Sequence, residues 1–200
     1  MTIYSLLLAG GKSSRMGKDK RFLVFEGQTL VERSLALLKN ARSDQILISG
    51  DLAGYKSIPD LLPECGPLGG LHAALHHLEL ESGLNGDGND EGGDLLLVIP
   101  VDMPFLNVQC LETLLAGIGE ADACYYSGEV FPCVFRLTSR LRSYFDSLFL
   151  QSRELGGNRS MKALLRHFTS AALVPEGFSD KVFINLNNPE DLQLFLSVSE

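Results

Sequence analysis

The chain has 200 residues, a formal net charge of −8, 45% hydrophobic side chains and 21% charged ones. That balance supports a full hydrophobic core and excludes a wholly disordered or fibrous chain. The acidic excess argues against broad nucleic-acid binding, which needs a basic face, yet a few cations in one cleft can still hold a small anionic ligand.

Ile3 to Ala9 is a continuous apolar run of strand length, the pattern of a strand covered on both faces. It has no basic lead, and Gly10 and Gly11 cut it short, so it reads as a first strand and not as a signal peptide. Gly10 to Lys20 is a loop of Gly, Ser and basic residues. Phe22 to Phe25 reads as a short strand closed by Glu26-Gly27-Gln28. Thr29 followed by Glu32 is a capping-box pattern, and Leu30, Val31, Ser34, Leu35, Leu37 and Leu38 form a helical stripe behind it. Gln45 to Ser49 is a second buried strand. Strand, Gly-rich loop, helix, strand is the opening of a doubly wound α/β fold.

Leu71 to Leu80 reads as a helix, and Asp94 to Pro100 is the clearest strand of the chain. Val108 to Gly117 reads as a helix. Ala121 to Tyr126 and Pro132 to Arg136 read as strands that pair antiparallel across Ser127-Gly128. Leu141 to Leu150 and Met161 to Phe168 follow as helices, then short strands at Leu173 to Pro175 and Val182 to Asn185, and a last helix from Pro189 to Leu196. The expected fold is a three-layer α/β/α sandwich, a mostly parallel mixed sheet with one antiparallel strand, in a single domain over residues 1–200. Residues 81–93, Gly-rich and acidic with few apolar side chains, read as a flexible surface insert, since they match no EF-hand spacing. Cys65, Cys110, Cys124 and Cys133 lack CxxC spacing and read as small buried apolar groups in a reducing compartment. No stretch approaches the roughly 20 apolar residues that span a bilayer. The expectation is a cytoplasmic protein with no membrane or nucleic-acid partner.

Four places carry chemistry. In the opening loop, Gly10 and Gly11 lack Cβ atoms, so phosphate oxygens can approach consecutive backbone N–H groups, and Arg15, Lys18 and Lys20 add charge. The loop is not a Walker A motif: Gly11 to Gly17 is one residue too long and Lys18 is followed by Asp19. No GxGxxG is present. Asp102, just beyond the strand ending at Pro100, stands where α/β sheets bind ligands, and a carboxylate there suits Mg²⁺ shared with phosphate oxygens; a plain turn cap before Met103-Pro104 is the alternative. Asp60 to Gly70 is a Gly-rich approach to a helix N-terminus, with Asp60 as an acceptor for a base or ribose. Arg159 and Lys162, with Asn185, Asn187 and Asn188, could receive a second anionic substrate; a cap at Ser160 and a turn at Asn187-Asn188-Pro189 explain them as well. His72, His76 and His77 share a helix without an HExxH pattern and read as solvated.

Taken together, LAGGKSSRMGKDK, then Asp60 before CGPLGGLHAAL, PVDMPFL and FINLNNPEDL resemble, in this order, the motifs of the nucleotidyltransferases, and among them the molybdenum cofactor guanylyltransferases. The resemblance spans Ile3 to Leu196. It implies a nucleotide-diphospho-sugar transferase-like (Rossmann-like) fold and transfer of GMP from GTP to molybdopterin with release of pyrophosphate. It implies that Leu8, Ala9, Gly10 and Gly11 contact the nucleotide, that Lys20 binds phosphate, that Asp60 meets the nucleoside and that Asp102 ligates Mg²⁺. Arg15 and Lys20 would join Asp102 as catalytic residues, and Arg159, Asn185 and Asn187 would meet the second substrate. Cofactor-handling proteins and apo-molybdoenzymes are the implied partners. Ser49-Gly50-Asp51 departs from the family's Asn at the end of the second strand. A cytidylyltransferase for the same cofactor, a sugar-phosphate nucleotidyltransferase and a non-catalytic adaptor that delivers cofactor remain open beside this reading.

Overall fold

The computed structural model describes residues 1–10, 19–61, 65–82, 93–150, 160–187 and 191. The predicted insert and the predicted last helix lie almost entirely outside them, as do Gly11, Arg15, Lys18, Arg159 and Asn188.

The strands are β1 (Ile3–Leu8), β2 (Val24–Phe25), β3 (Gln28–Thr29), β4 (Gln45–Ser49), β5 (Leu95–Pro100), β6 (Ala123–Tyr126), β7 (Cys133–Arg136) and β8 (Ser170–Leu173). The helices are α1 (Leu30–Asn40), α2 (Gly66–Ser82), α3 (Val108–Gly117), α4 (Ser139–Leu150) and α5 (Met161–His167). The main sheet has six strands in the order β4-β1-β5-β7-β6-β8. β1 lies parallel to both β4 and β5, β6 lies parallel to β8, and β7 runs antiparallel to its neighbours β5 and β6. The mostly parallel sheet with one antiparallel strand is therefore as expected.

Alternation along the central strands makes the three layers. Leu7, Leu97 and Ile99 face a core completed by Leu30, Val31 and Leu38 of α1 and Cys110, Leu111 and Leu114 of α3. Leu6, Leu8, Leu96 and Val98 face the other core, completed by Leu71, Leu75 and Leu78 of α2, Phe145 of α4 and Leu164 of α5. With both faces covered, β1 and β5 are apolar on both sides, apart from Ser5, whose buried hydroxyl bonds to the Ser43 hydroxyl at 2.5 Å, and so their sequences do not alternate.

The capping box forms as read: the Thr29 N–H donates to the Glu32 carboxylate at 2.7 Å, and the Glu32 N–H donates to the Thr29 hydroxyl at 3.2 Å. Several expectations change. Residues Lys20–Phe22 form a 3-10 turn, and the strand at Phe22 to Phe25 shrinks to Val24–Phe25 in a hairpin with Gln28–Thr29. The strand placed at Leu173 to Pro175 is Ser170–Leu173, fixed by pairing with β6. Residues Asp180–Phe183 form a 3-10 turn where a strand was expected, because β-branched residues make a strand only beside a sheet edge. Helix α2 starts at Gly66, five residues before the predicted Leu71.

Two side-chain expectations are also decided. Cys110, Cys124 and Cys133 are buried and unpaired, and burial pushes the Cys110 and Cys124 thiols up to about 11. His72 is not a solvated helix residue. Its ring stacks on Phe149 at 4.4 Å between centroids, its Nδ1 is buried without a hydrogen bond among the described residues, and burial lowers its pKa. Among the described residues no helix is long and apolar enough to cross a membrane.

Candidate active site

The carboxyl ends of β1, β4 and β5 meet at one edge of the sheet. The Ala9 N–H donates to the Ser49 carbonyl at 3.2 Å, and the Val101 N–H donates to the Leu8 carbonyl at 3.1 Å, so the ladder continues one step past the strands. Beyond it the chains turn across one another. Gly50 has φ +92°, and a Cβ there would lie 2.8 Å from the Gly10 Cα and 2.9 Å from the Gly10 nitrogen. Only glycine allows that crossing.

Helix α2 presses on the same edge from one side. A Cβ on Gly70 would meet the Ser49 Oγ at 2.6 Å and the Leu8 Cδ2 at 2.9 Å. Gly70 thus serves close packing of helix on strand. Ser49 is buried and faces Gly70.

Asp60 lies between the two layers. A Cβ on Gly69 would lie 3.4 Å from the Asp60 Oδ2, and one on Gly10 would lie 3.9 Å from it. The Asp60 Oδ1 is buried and accepts no hydrogen bond among the described residues. Burial pushes its pKa up from the usual carboxylate value. The site therefore holds an acceptor-only group, held by packing, with a lone pair that a ligand N–H or O–H can satisfy.

The cationic element arrives next to β5. The 3-10 turn at Lys20–Phe22 is capped by the Asp19 carboxylate, which accepts from the Arg21 N–H at 3.0 Å. From this turn the Lys20 Nζ reaches the Asp102 Oδ2 at 2.5 Å, a pair whose side chains are only 20% and 15% exposed. Asp102 is further fixed by its backbone, since its carbonyl accepts the Leu186 N–H at 2.8 Å. That bond draws the segment carrying Asn185 and Asn187 beside the strand end.

Of the expected site residues, Leu8, Ala9, Gly10, Lys20, Asp60 and Asp102 are brought to this edge. Asn185 and Asn187 flank the buried Leu186, but their own bonds are local: the Asn185 side-chain amide reaches the Phe183 carbonyl at 3.5 Å, and the Asn187 N–H donates to Asp191 at 2.8 Å. Ser160 caps α5 by accepting the Ala163 N–H at 3.2 Å. Gly11, Arg15 and Arg159 lie outside the described residues. Sequence reasoning missed Arg21. Its guanidinium binds Asp19 with Nε and Nη2 and, with Nη1, donates to the carbonyls of Ala9 at 3.0 Å and Asp51 at 2.7 Å. The only signal was a further cation directly after Asp19-Lys20.

No group of three or more His, Cys, Asp or Glu side chains that could cage a metal exists among the described residues. Asp102 offers a single hard oxygen site. That donor set fits a cation such as Mg²⁺, which keeps its waters and takes one or two carboxylates plus substrate phosphates.

The model of the MobA-like NTP transferase domain matches residues 5–172. The chain belongs to this family. The matched span runs from β1 into β8 and includes Lys20, Asp60 and Asp102; Asn185 and Asn187 fall beyond it. Among relatives within reach of sequence, the chain is 33% identical over 186 residues to a molybdenum cofactor guanylyltransferase of Xanthomonas euvesicatoria pv. vesicatoria, covering 92% of this chain and 89% of that one. In fold it is similar to molybdopterin-guanine dinucleotide biosynthesis protein A of Archaeoglobus fulgidus, with a TM-score of 0.70 at 21% identity over 98% of this chain and 97% of that one. It is also similar in fold to a Mycobacterium tuberculosis protein solved in complex with manganese, with a TM-score of 0.65 at 17% identity over 98% and 99% of the two chains.

Proposed function

We propose that the chain transfers GMP from GTP to molybdopterin. The terminal phosphate oxygen of molybdopterin bonds to the α-phosphorus of GTP, the α–β bridging P–O bond breaks, and pyrophosphate leaves. The observation that supports this reading is that the Lys20–Asp102 pair, the orphaned Asp60 oxygen and the crossing of Gly10 and Gly50 all lie at the carboxyl ends of the parallel strands. The full-length relative that bears this activity in its name supports it.

Each residue has a task of binding or charge. Gly10 leaves its backbone bare to a phosphate. Asp60 accepts from the nucleoside, and guanine suits it because its N1–H and N2–H donors lie side by side on one edge, matching a carboxylate that only accepts. Lys20 moves as a point charge from Asp102 to a phosphate oxygen. Asp102 holds Mg²⁺, which when bound would neutralise charge on the triphosphate. Arg15 adds a fork for phosphate. Asn185 and Asn187, on either side of the Leu186 contact with Asp102, meet the second substrate together with Arg159.

The test is pyrophosphate release with molybdopterin and GTP, CTP, ATP or UTP in turn, with and without Mg²⁺. The reading requires GTP to be favoured. Preference for CTP would make the chain a cytidylyltransferase for the same cofactor. Turnover of a hexose 1-phosphate in place of molybdopterin would make it a sugar-phosphate enzyme, and GTP binding without pyrophosphate release would make it a delivery adaptor.

A further inference from the structure

Arg21 is buried for a guanidinium, with its side chain 18% exposed, and its partners are the Asp19 carboxylate and two backbone carbonyls. Its Nε and Nη2 are committed to the Asp19 carboxylate at 2.7 to 3.0 Å. The plane of the guanidinium is thereby set, and Nη1 can only reach what lies in that plane: the Ala9 and Asp51 carbonyls. These two carbonyls belong to the segments that cross at Gly10 and Gly50, so one side chain ties the end of β1 to the end of β4 from the far side of the glycine crossing.

The consequence follows from the planar trans peptide. The Ala9 carbonyl and the Gly10 N–H belong to one peptide unit and point in opposite directions. With the carbonyl held on Arg21, the Gly10 N–H is turned away from Arg21. The preceding peptide unit is held by its own two bonds, the Ala9 N–H to the Ser49 carbonyl and the Leu8 carbonyl from the Val101 N–H, so the Ala9–Gly10 unit can turn only about the bonds that flank it, and the bond from Arg21 to the Ala9 carbonyl sets that turn. Arg21 is also the neighbour of Lys20 within one 3-10 turn, so the same anchor fixes where the Lys20 stem starts its reach to Asp102.

We propose that Arg21 is a positioning residue of the nucleotide site: through Ala9 and Asp51 it aims the Gly10 N–H, and through the turn it aims Lys20. The inference rests on the reading that the triphosphate lies at these strand ends. It also explains why the residue is Arg. A Lys ammonium is a point charge and cannot span a carboxylate and two carbonyls in one plane.

The experiment measures kcat and KM for GTP in the full chain carrying Arg21→Lys, with Lys20→Ala as the reference variant. Misaimed donors act on the transition state more than on ground-state binding, so kcat falls by about tenfold or more while KM changes less than about threefold. A role in folding alone would lower the melting temperature and leave kcat of the folded fraction intact. If Arg21→Lys loses its cooperative melt, Asp19→Ala carries the test, because it leaves Arg21 in place but frees its plane; the same selective loss of kcat is expected. Wild-type kcat in the folded Arg21→Lys chain, or in Asp19→Ala, overturns the proposal while Lys20→Ala still loses turnover. Full turnover by Lys20→Ala overturns the underlying site instead, so the two failures are distinct.

Discussion

Replacing Asp60 with Asn is expected to make the chain more stable and a poorer binder of GTP. The carboxylate has been taken out of water by Gly10 and Gly69, and its Oδ1 has no partner among the described residues. A buried acceptor in that state costs about 1–3 kcal/mol, with charged groups at the upper end. Asn keeps the shape and removes the charge but leaves its amide imperfectly satisfied, so a gain of about 1 kcal/mol is expected, or about 2–4 °C in melting temperature for a chain of this size. The pH dependence gives a second handle. Burial raises the folded pKa of Asp60 above its unfolded value of 3.8, so its favourable contribution is complete below that value and is lost as pH rises through the folded pKa. The gap in melting temperature between Asp60→Asn and the unaltered chain should therefore be open at neutral pH and close as the solution is acidified. A hydrogen bond to a charged group is worth about 1.5–3 kcal/mol, which predicts GTP binding weaker by about 10- to 150-fold. Thermal melts across pH and titration calorimetry with GTP and Mg²⁺ measure both. A variant that melts no higher at neutral pH and binds GTP as tightly as the unaltered chain refutes the reasoning on both counts.

Asp102→Ala is expected to lower pyrophosphate release by about 10²–10³, with a cooperative melt kept at a lower temperature: the backbone bond to Leu186 survives, while the Lys20 ammonium loses its Asp102 partner at a largely buried edge. Gly50→Ala combines a φ of +92° with a Cβ 2.8 Å from the Gly10 Cα, so a loss of at least about 1–3 kcal/mol is expected in denaturant unfolding. His72→Phe should stabilise the chain selectively in mild acid. Burial depresses the folded pKa of His72, so below its unfolded value of 6.5 the unfolded chain binds the extra proton and stability falls as pH drops towards the folded value. Phe has no proton to take up, and urea unfolding across that window should show the slope diminished in the variant.

The parts of the fold that were legible are those where local and tertiary demands agree. The apolar runs of β1, interrupted only by Ser5, and of β5 are those of strands covered on both faces, and Thr29 with Glu32 marks one helix start. The parts that were not legible depend on a neighbour. Gly66, Gly69 and Gly70 read as a loop because glycine is a poor helix former, yet α2 begins there: at Gly70 the helix approaches Ser49 and Leu8 more closely than any Cβ permits, and at Gly69 it packs tightly on Cys65 and Asp60. The Val182 segment has strand-forming residues and no edge to join, so it closes as a turn. His72 lacked every metal signature and seemed solvated, but its ring finds Phe145 and Phe149 on α4, a contact that no spacing within α2 reveals. Arg21 was missed for a related reason: its targets are backbone carbonyls, and backbone has no sequence.

The same distinction separates Lys20 and Asp102 from Arg21 and Asp19. Each is an acid–base pair in the opening loop's reach, and each is close. Asp19 and Arg21 are two residues apart on one turn, so their pairing survives anything that moves the loop as a body. Lys20 and Asp102 come from different elements, 82 positions apart, and their pairing depends on where that turn is held. On the proposed reading, the second pair is meant to be broken. Before the nucleotide arrives, each charge neutralises the other at a largely buried edge, where either alone would be costly. On that reading Lys20 would exchange the carboxylate for a phosphate oxygen when the triphosphate arrives, and Asp102 would then be free to hold the cation that offsets the triphosphate charge. No charge is left uncompensated in either state, so the exchange asks for a short swing of one flexible side chain and no rearrangement of the sheet. A fixed anchor is what makes so short a swing accurate, and the Asp19–Arg21 clamp supplies it.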